Sequence, residues 1–362
     1  MIKALIVDDS PTAQELLRHI LSSDPEIRVI GTAGNGKEAL EFVERNKPDV
    51  ITMDLTMPEM DGYSATRTIM ETTPIPVVVV SASLAPEEVE KTWPALEAGA
   101  VAAIGKPDYS AVDGGSESAK RLIQTVKLMS QVRLVRRWKK LRPAEQILTE
   151  ETGPQEAAVA HSEQPEAKLG KRKTDLVAIG ASTGGPPVLR TILSGLEEGF
   201  PAPIMVVQHI ARGFSEGLVS WLDRFSSVNV RLAEEGERII PGRVYVAPED
   251  LHMGVGKDLN ISLSREDPEY GLRPSVSYMF RSVAKAFGKR AIGILLTGMG
   301  KDGAYELKLM KDSGAVTIAQ DEESSIVHGM PAAAIKLGGT THVLSPEEIQ
   351  RALNQIVDKR RQ

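Results

Sequence analysis

Residues 176–186 read LVAIGASTGGP. The run 176–180 is apolar and partly β-branched, the composition of a strand covered on both faces. Glycines follow, and Pro186 then suits the first turn of a helix, where a missing N–H costs nothing. Strand, glycine turn and helix in succession make one βα unit, and repeated units imply a parallel, doubly wound sheet. The rhythm continues downstream, with strands predicted at 204–208, 228–233, 244–247, 291–297 and 315–319. Residues 253–264 predict a hairpin turning at Gly256-Lys257-Asp258. Ser345 and Glu348 predict a capping box at the start of the last helix.

Upstream, the first hundred residues repeat the pattern. Strands are predicted at 4–7, 29–33, 50–53, 77–80 and 101–104, with a helix that starts at Pro11 behind Ser10 and an amphipathic one over 37–47. A long helix is predicted over 116–138, followed by a basic stretch to Arg142. It reads either as a solvated end whose cations suit the helix dipole or as a docking surface. Residues 143–167 contain no lysine or arginine, are rich in Glu, Gln, Ala and Pro, and show no periodicity, so they predict a flexible linker. The expected fold is α/β. Two doubly wound parallel-sheet domains, 1–125 (flavodoxin-like) and 174–362 (an αβα sandwich with a hairpin), are joined by a helix end and linker over 126–173.

The chain has 362 residues, 41% of them hydrophobic, enough for two cores. Its net charge of −6 gives no electrostatic reason to expect nucleic acid or an anionic membrane as partner. The absence of cysteine excludes disulfides, zinc–thiolate sites and a cysteine nucleophile. The first apolar run is short and ends in Asp8-Asp9, unlike an export signal. No stretch approaches the roughly eighteen apolar residues of a membrane span. A cytoplasmic protein without membrane insertion is expected.

In a parallel sheet the loops at the carboxyl ends of the strands gather on one edge, where ligands bind. In the first domain Asp8 and Asp9 end the first strand, Asp54 the third, Ser81 the fourth and Lys106 the fifth. Carboxylates that meet need a cation, and hard oxygen donors favour magnesium. The lysine and the hydroxyl can then hold a phosphoryl group transferred to one carboxylate. Any one of these residues alone also reads as a helix cap or a simple ion pair; their joint placement favours a site.

In the second domain Gly180-Ala181-Ser182-Thr183-Gly184 satisfies G-x-S-x-G, the sharp turn that lifts a serine above a sheet. A glycine turn after a strand can equally cradle a phosphate. A nucleophilic serine needs a base, and the base needs an orienting acid. Of six histidines, His209 is placed like the serine, after 204–208, and Asp302 follows 291–297. The order Ser, His, Asp differs from the Ser, Asp, His of α/β-hydrolases. A structural histidine and a loop aspartate are the plainer alternatives. Glu249, Asp250 and His252 form a further polar group with a supporting or structural part. The backbone N–H groups of Thr183 and Met299 are candidates for an oxyanion hole.

Two resemblances rest on these residues. Residues 1 to about 125 resemble a response-regulator receiver domain, through Asp8-Asp9, DLTMPEMDG at 54–62, Ser81 and Lys106-Pro107. That resemblance implies Asp54 as phosphoacceptor, magnesium bound by Asp8, Asp9, Asp54 and the Thr56 carbonyl, phosphoryl contacts from Ser81 and Lys106, and a histidine kinase as phosphodonor. Residues 174–353 resemble the chemotaxis protein-glutamate methylesterases (the CheB family), through IGASTGGP, VVQH, VYVAP, RPSV, LLTGMGKDG and GMP. That resemblance implies Ser182, His209 and Asp302 as nucleophile, base and acid. It also implies hydrolysis of glutamate γ-methyl esters on methyl-accepting chemoreceptors, often with glutamine deamidation, and no cofactor in the esterase domain. The sequence departs from the family pattern at Leu272, where histidine is common, at Ser277, where aspartate is common, and at His328, usually apolar or aromatic. Two rival readings are a receiver-controlled docking module without catalysis and a receiver with a DNA-binding output. The second lacks a helix-turn-helix or a basic stripe in this half.

Overall fold

The computed structural model describes residues 1–81, 93–107, 116–132, 174–210 and 212–358. The expected linker over 143–167 and the basic stretch 133–142 lie outside the described residues.

The first domain runs β1 (Ile2–Val7), α1 (Pro11–Ser22), β2 (Ile27–Ala33), α2 (Gly36–Asn46), β3 (Val50–Met53), α3 (Gly62–Thr72), β4 (Val77–Ser81), β5 (Ala102–Gly105) and α4 (Glu117–Met129). The five strands are parallel in the order β2-β1-β3-β4-β5. Short polar side chains start the helices: Ser10, Asn35, Asp61 and Ser116 each accept a backbone N–H of the first turn. β1 and β2 begin two residues earlier than the apolar pattern indicates. Lys3 pairs with Arg28 near the amino ends of these strands, where both side chains are exposed and polar residues are tolerated. The last helix stops at Met129, short of the expected extension, with Ser130 as its C-cap, the Ser130 N–H donating to the Val126 carbonyl and its hydroxyl to the Lys127 carbonyl.

The second domain contains β6 (Leu176–Ala181), α5 (Gly185–Ser194), β7 (Ile204–Gln208), α6 (Ser215–Phe225), β8 (Asn229–Leu232), β9 (Arg243–Val246), a hairpin of β10 (His252–Val255) and β11 (Ile261–Ser264), α7 (Val276–Phe287), β12 (Ala291–Leu295), α8 (Ala304–Asp312), β13 (Val316–Gln320), α9 (Met330–Lys336), β14 (His342–Leu344) and α10 (Pro346–Asp358). Seven parallel strands lie in the order β14-β13-β12-β6-β7-β9-β8. Val177, Ile179 and Ala181 point into one apolar layer, and Leu176 and Ala178 into the other, so helices cover both faces. The chain order reverses on either side of β6, which makes its carboxyl end the topological switch point where such sheets bind ligands.

One apolar cluster runs from the first sheet into the second domain. Trp93, in a short helical segment of the first domain, is fully buried and stacks on Trp221 of α6 with ring centroids 5.6 Å apart. Beside this stack Arg190 of α5 pairs with Glu97 and lies 4.1 Å over the Phe225 ring. Among the described residues no helix is long and apolar enough to cross a membrane.

Candidate active site

Ser182 directly follows β6, His209 directly follows β7, and Asp302 lies in the loop after β12. Backbone bonds fasten these loops together: the Ser182 N–H donates to the Thr297 carbonyl at 3.0 Å, and the His209 N–H to the Ala181 carbonyl at 3.0 Å. The Gln208 amide donates to the carbonyls of both Ser182 and His209 at 2.8 Å. Gly298 packs so closely that a Cβ there would lie 2.7 Å from the Ser182 Cβ, which only glycine avoids.

His209 Nε2 is 2.9 Å from Asp302 Oδ2. Asp302 is buried and receives three further donors: the Ser275 hydroxyl and the Ser277 N–H on Oδ1, each at 2.9 Å, and the Val276 N–H on Oδ2 at 2.7 Å. These belong to the first turn of α7, whose orphan N–H groups and dipole favour an anion. Burial alone would push the Asp302 carboxyl up; the hydrogen bond and charge of His209 and the bonding with Ser277 outweigh it and hold it at about 2. Ser182 and His209 line one cleft of about 270 Å³ and are not hydrogen-bonded to each other. The N–H groups of Thr183 and Met299 have no acceptor among the described residues.

The opposite wall of that cleft belongs to the first domain, with Ala102, Ala103 and Ile104 of β5 and Thr125, Leu128 and Met129 of α4. Around the corner of β5 lies the acidic group. Asp8, Asp9 and Asp54 have carboxylate oxygens within 4.8 Å of one another, and the Lys106 ammonium is 2.7 Å from both Asp8 and Asp54. Burial pushes the Asp54 carboxyl up; the bonds from Lys106 and the Leu55 N–H oppose this without cancelling it, and the charge of Asp8 adds to it. Burial works against the Lys106 charge, yet its two carboxylate partners raise it overall. Ser81 Oγ is buried with no partner among the described residues, and Thr56 is exposed in the loop after Asp54. Three hard oxygen donors and an orphaned hydroxyl beside a cation suit a magnesium ion and a phosphoryl group.

A family model described as CheB methylesterase matches residues 177–353, and one described as the response regulator receiver domain matches residues 4–111. The protein-glutamate methylesterase/protein-glutamine glutaminase 1 of Syntrophus aciditrophicus is 52% identical over 354 residues, covering 98% of this chain and 97% of that protein. This chain belongs to the CheB methylesterase family. A second relative with this pair of activities in its name, from Geobacter metallireducens, is 48% identical over 98% of the chain and 99% of its own length. The catalytic domain of Thermotoga maritima CheB methylesterase is matched over all of that chain and 51% of this one, with 38% identity and a TM-score of 0.49.

The three departures from the CheB pattern have definite places. Leu272 lines the cleft beside His209. Ser277 replaces a common aspartate, and its hydroxyl donates to Glu306 at 2.6 Å, so a carboxylate still stands beside this turn. His328 Nδ1 is 3.2 Å from the Ser325 hydroxyl. Of the second polar group, Glu249 caps the loop after His209, accepting from the N–H groups of Gly213 and Ser215, and Asp250 pairs with Arg212. That Ser275, Val276 and Ser277 hold Asp302 was missed at the sequence level, since two of the three contacts are backbone N–H groups that any residue carries and the third is the hydroxyl of Ser275.

Proposed function

We propose that this CheB-family chain hydrolyses glutamate γ-methyl esters on methyl-accepting chemoreceptors, deamidates receptor glutamines at the same site, and is switched on by phosphorylation of Asp54 to give sensory adaptation. The observation that carries the esterase reading is the pairing of His209 with a carboxylate held by three other donors, in one cleft with Ser182. With Nε2–H given to Asp302, Nδ1 is the nitrogen left to accept the Ser182 proton. Ser182 Oγ attacks the γ-carbonyl, and the Thr183 and Met299 N–H groups meet the oxyanion, each such donor lowering a barrier by roughly 3–4 kcal/mol. The C–O bond to methoxide then breaks, and His209 returns the proton, releasing methanol. A water molecule, deprotonated by His209, attacks the acyl-enzyme and frees Ser182 and glutamate. For glutamine the leaving group is ammonia. The esterase domain is read as needing no cofactor.

Control is read from the first domain. Asp8, Asp9, Asp54 and the Thr56 carbonyl are the groups to hold Mg²⁺, which when bound supplies positive charge beside the accepting carboxylate. Asp54 takes a phosphoryl group from a histidine kinase, and Ser81 and Lys106 contact it. The modification adds a doubly charged group where Lys106 now bridges Asp8 and Asp54. Lys106 follows β5 directly, and β5 forms the far wall of the Ser182 cleft. Resettling Lys106 therefore shifts the wall that narrows access in the resting state. The proposed setting is the cytoplasm, where a kinase phosphodonor is supplied with ATP. Methanol release from purified methylated receptor tests the esterase reading: wild type is expected to release it and Ser182→Ala is not, and release at the wild-type rate by folded Ser182→Ala protein overturns it.

A further inference from the structure

The first hairpin strand opens on His252, the fully buried third member of the polar group that includes Glu249 and Asp250. Its ring stacks on Tyr278 of α7 with centroids 4.7 Å apart. Both ring nitrogens are engaged. The Ser275 N–H donates to Nδ1 at 3.2 Å, and Nε2 is 3.1 Å from the Asp267 carbonyl oxygen. An amide N–H can only donate, so Nδ1 carries no proton; a carbonyl can only accept, so Nε2 carries one. The ring is held as one neutral tautomer. Ser275 is the N-cap of α7, and its hydroxyl both accepts from the Tyr278 N–H and donates to Asp302. Its own N–H is left for a group outside the helix to satisfy, and His252 does so. A continuous line of bonds thus runs from His252 through Ser275 to Asp302 and on to His209.

We propose that His252 is a positioning residue for the esterase reaction, its unprotonated Nδ1 anchoring Ser275 so that the first turn of α7 holds Asp302 in the orientation His209 requires. The proposal rests on the Ser182–His209–Asp302 reading. The competing account is that His252 only packs the hairpin on α7 through its stack with Tyr278. A shift of about 1 Å in a supporting group can cost on the order of a hundredfold in rate, so the two accounts differ measurably.

The test uses full-length protein treated with a small-molecule phosphodonor and magnesium, with kcat and KM read from methanol release. His252→Asn keeps an acceptor near the Nδ1 position. His252→Gln reaches the Nε2 position instead, and His252→Phe keeps the stack alone. The Gln and Phe variants are expected to lose roughly ten- to a hundredfold in kcat with KM little changed, while Asn stays within about threefold of wild type. The proton NMR signal of the His209–Asp302 hydrogen bond is expected to shift or broaden in Gln and Phe and to return in Asn. Equal kcat in the three variants overturns the proposal; should Phe fail to fold, the Asn and Gln pair alone decides. A Ser182→Ala control separates the two levels: activity there removes the esterase reading itself. Inactivity there beside fully active His252 variants removes only this inference.

Discussion

Replacing Ser182 by alanine removes one hydroxyl and leaves the backbone bond from residue 182 to Thr297 in place. Methanol release is expected to vanish while thermal unfolding stays close to wild type. His209→Ala is expected to be nearly as damaging, and the double variant hardly worse than either single one, since members of such a unit act together; multiplicative losses contradict that. Asp302→Asn places an NH₂ group against donors that now find carboxylate oxygens, and turns His209 toward the wrong tautomer, with a loss on the order of 10³–10⁴ in rate. It also has an acid signature. The Asp302 carboxyl is depressed to about 2, so its stabilisation is present above the ordinary carboxylate range near 4 and lost as pH falls through about 2. Wild type is expected to lose roughly 2 kcal/mol in that window that Asp302→Asn does not lose. Urea midpoints at pH 5 and pH 2.5 check this, and equal acid losses in the two proteins contradict it. The meeting of Ser182, His209 and Asp302 on one edge was legible because each follows an apolar strand. The Ser275 contact was not, and His252 was legible only as a member of a supporting polar group, because nothing in RPSV or in the hairpin sequence says which carboxylate or N–H they face.

At the scale of elements the apolar periodicity placed most of the strands and left their ends loose. β14 was not foreseen: it is three residues long, with exposed Val343, and is recognisable only by its pairing with β13. The last helix was legible from chemistry rather than periodicity, and both arms of its capping box are made, with the Glu348 N–H on the Ser345 hydroxyl and the Ser345 N–H on the Glu348 carboxylate. The β3–α3 loop shows why DLTMPEMDG must end in glycine. A Cβ on Gly62 would lie 1.9 Å from the Asp54 carbonyl oxygen. Gly62→Ala is therefore expected to destabilise the first domain by about 1–3 kcal/mol and to displace the loop that carries Asp54. Denaturant unfolding and the rate of phosphoryl uptake from a small-molecule donor check it; wild-type values for both contradict it.

For the whole molecule, the meeting of the domains had no sequence signal, since the Trp93–Trp221 stack and the Glu97–Arg190 pair seen among the described residues form no pattern. In the proposed control, Glu97–Arg190 is part of the resting contact. Arg190→Glu is expected to raise the methanol-release rate of the unphosphorylated protein several-fold, and the swap Glu97→Arg with Arg190→Glu to bring it back down. An unchanged resting rate in Arg190→Glu contradicts occlusion through this contact. Control of the Ser182 esterase by a phosphoryl group on Asp54 joins the two domains in one mechanism. It is tested most directly by methanol release from methylated chemoreceptor before and after treating the full-length protein with a small-molecule phosphodonor and magnesium. A several-fold rise is expected in wild type, with no rise in Asp54→Asn and no methanol at any stage from Ser182→Ala. A wild-type rate that treatment leaves unchanged, or an equal rise in Asp54→Asn, contradicts it.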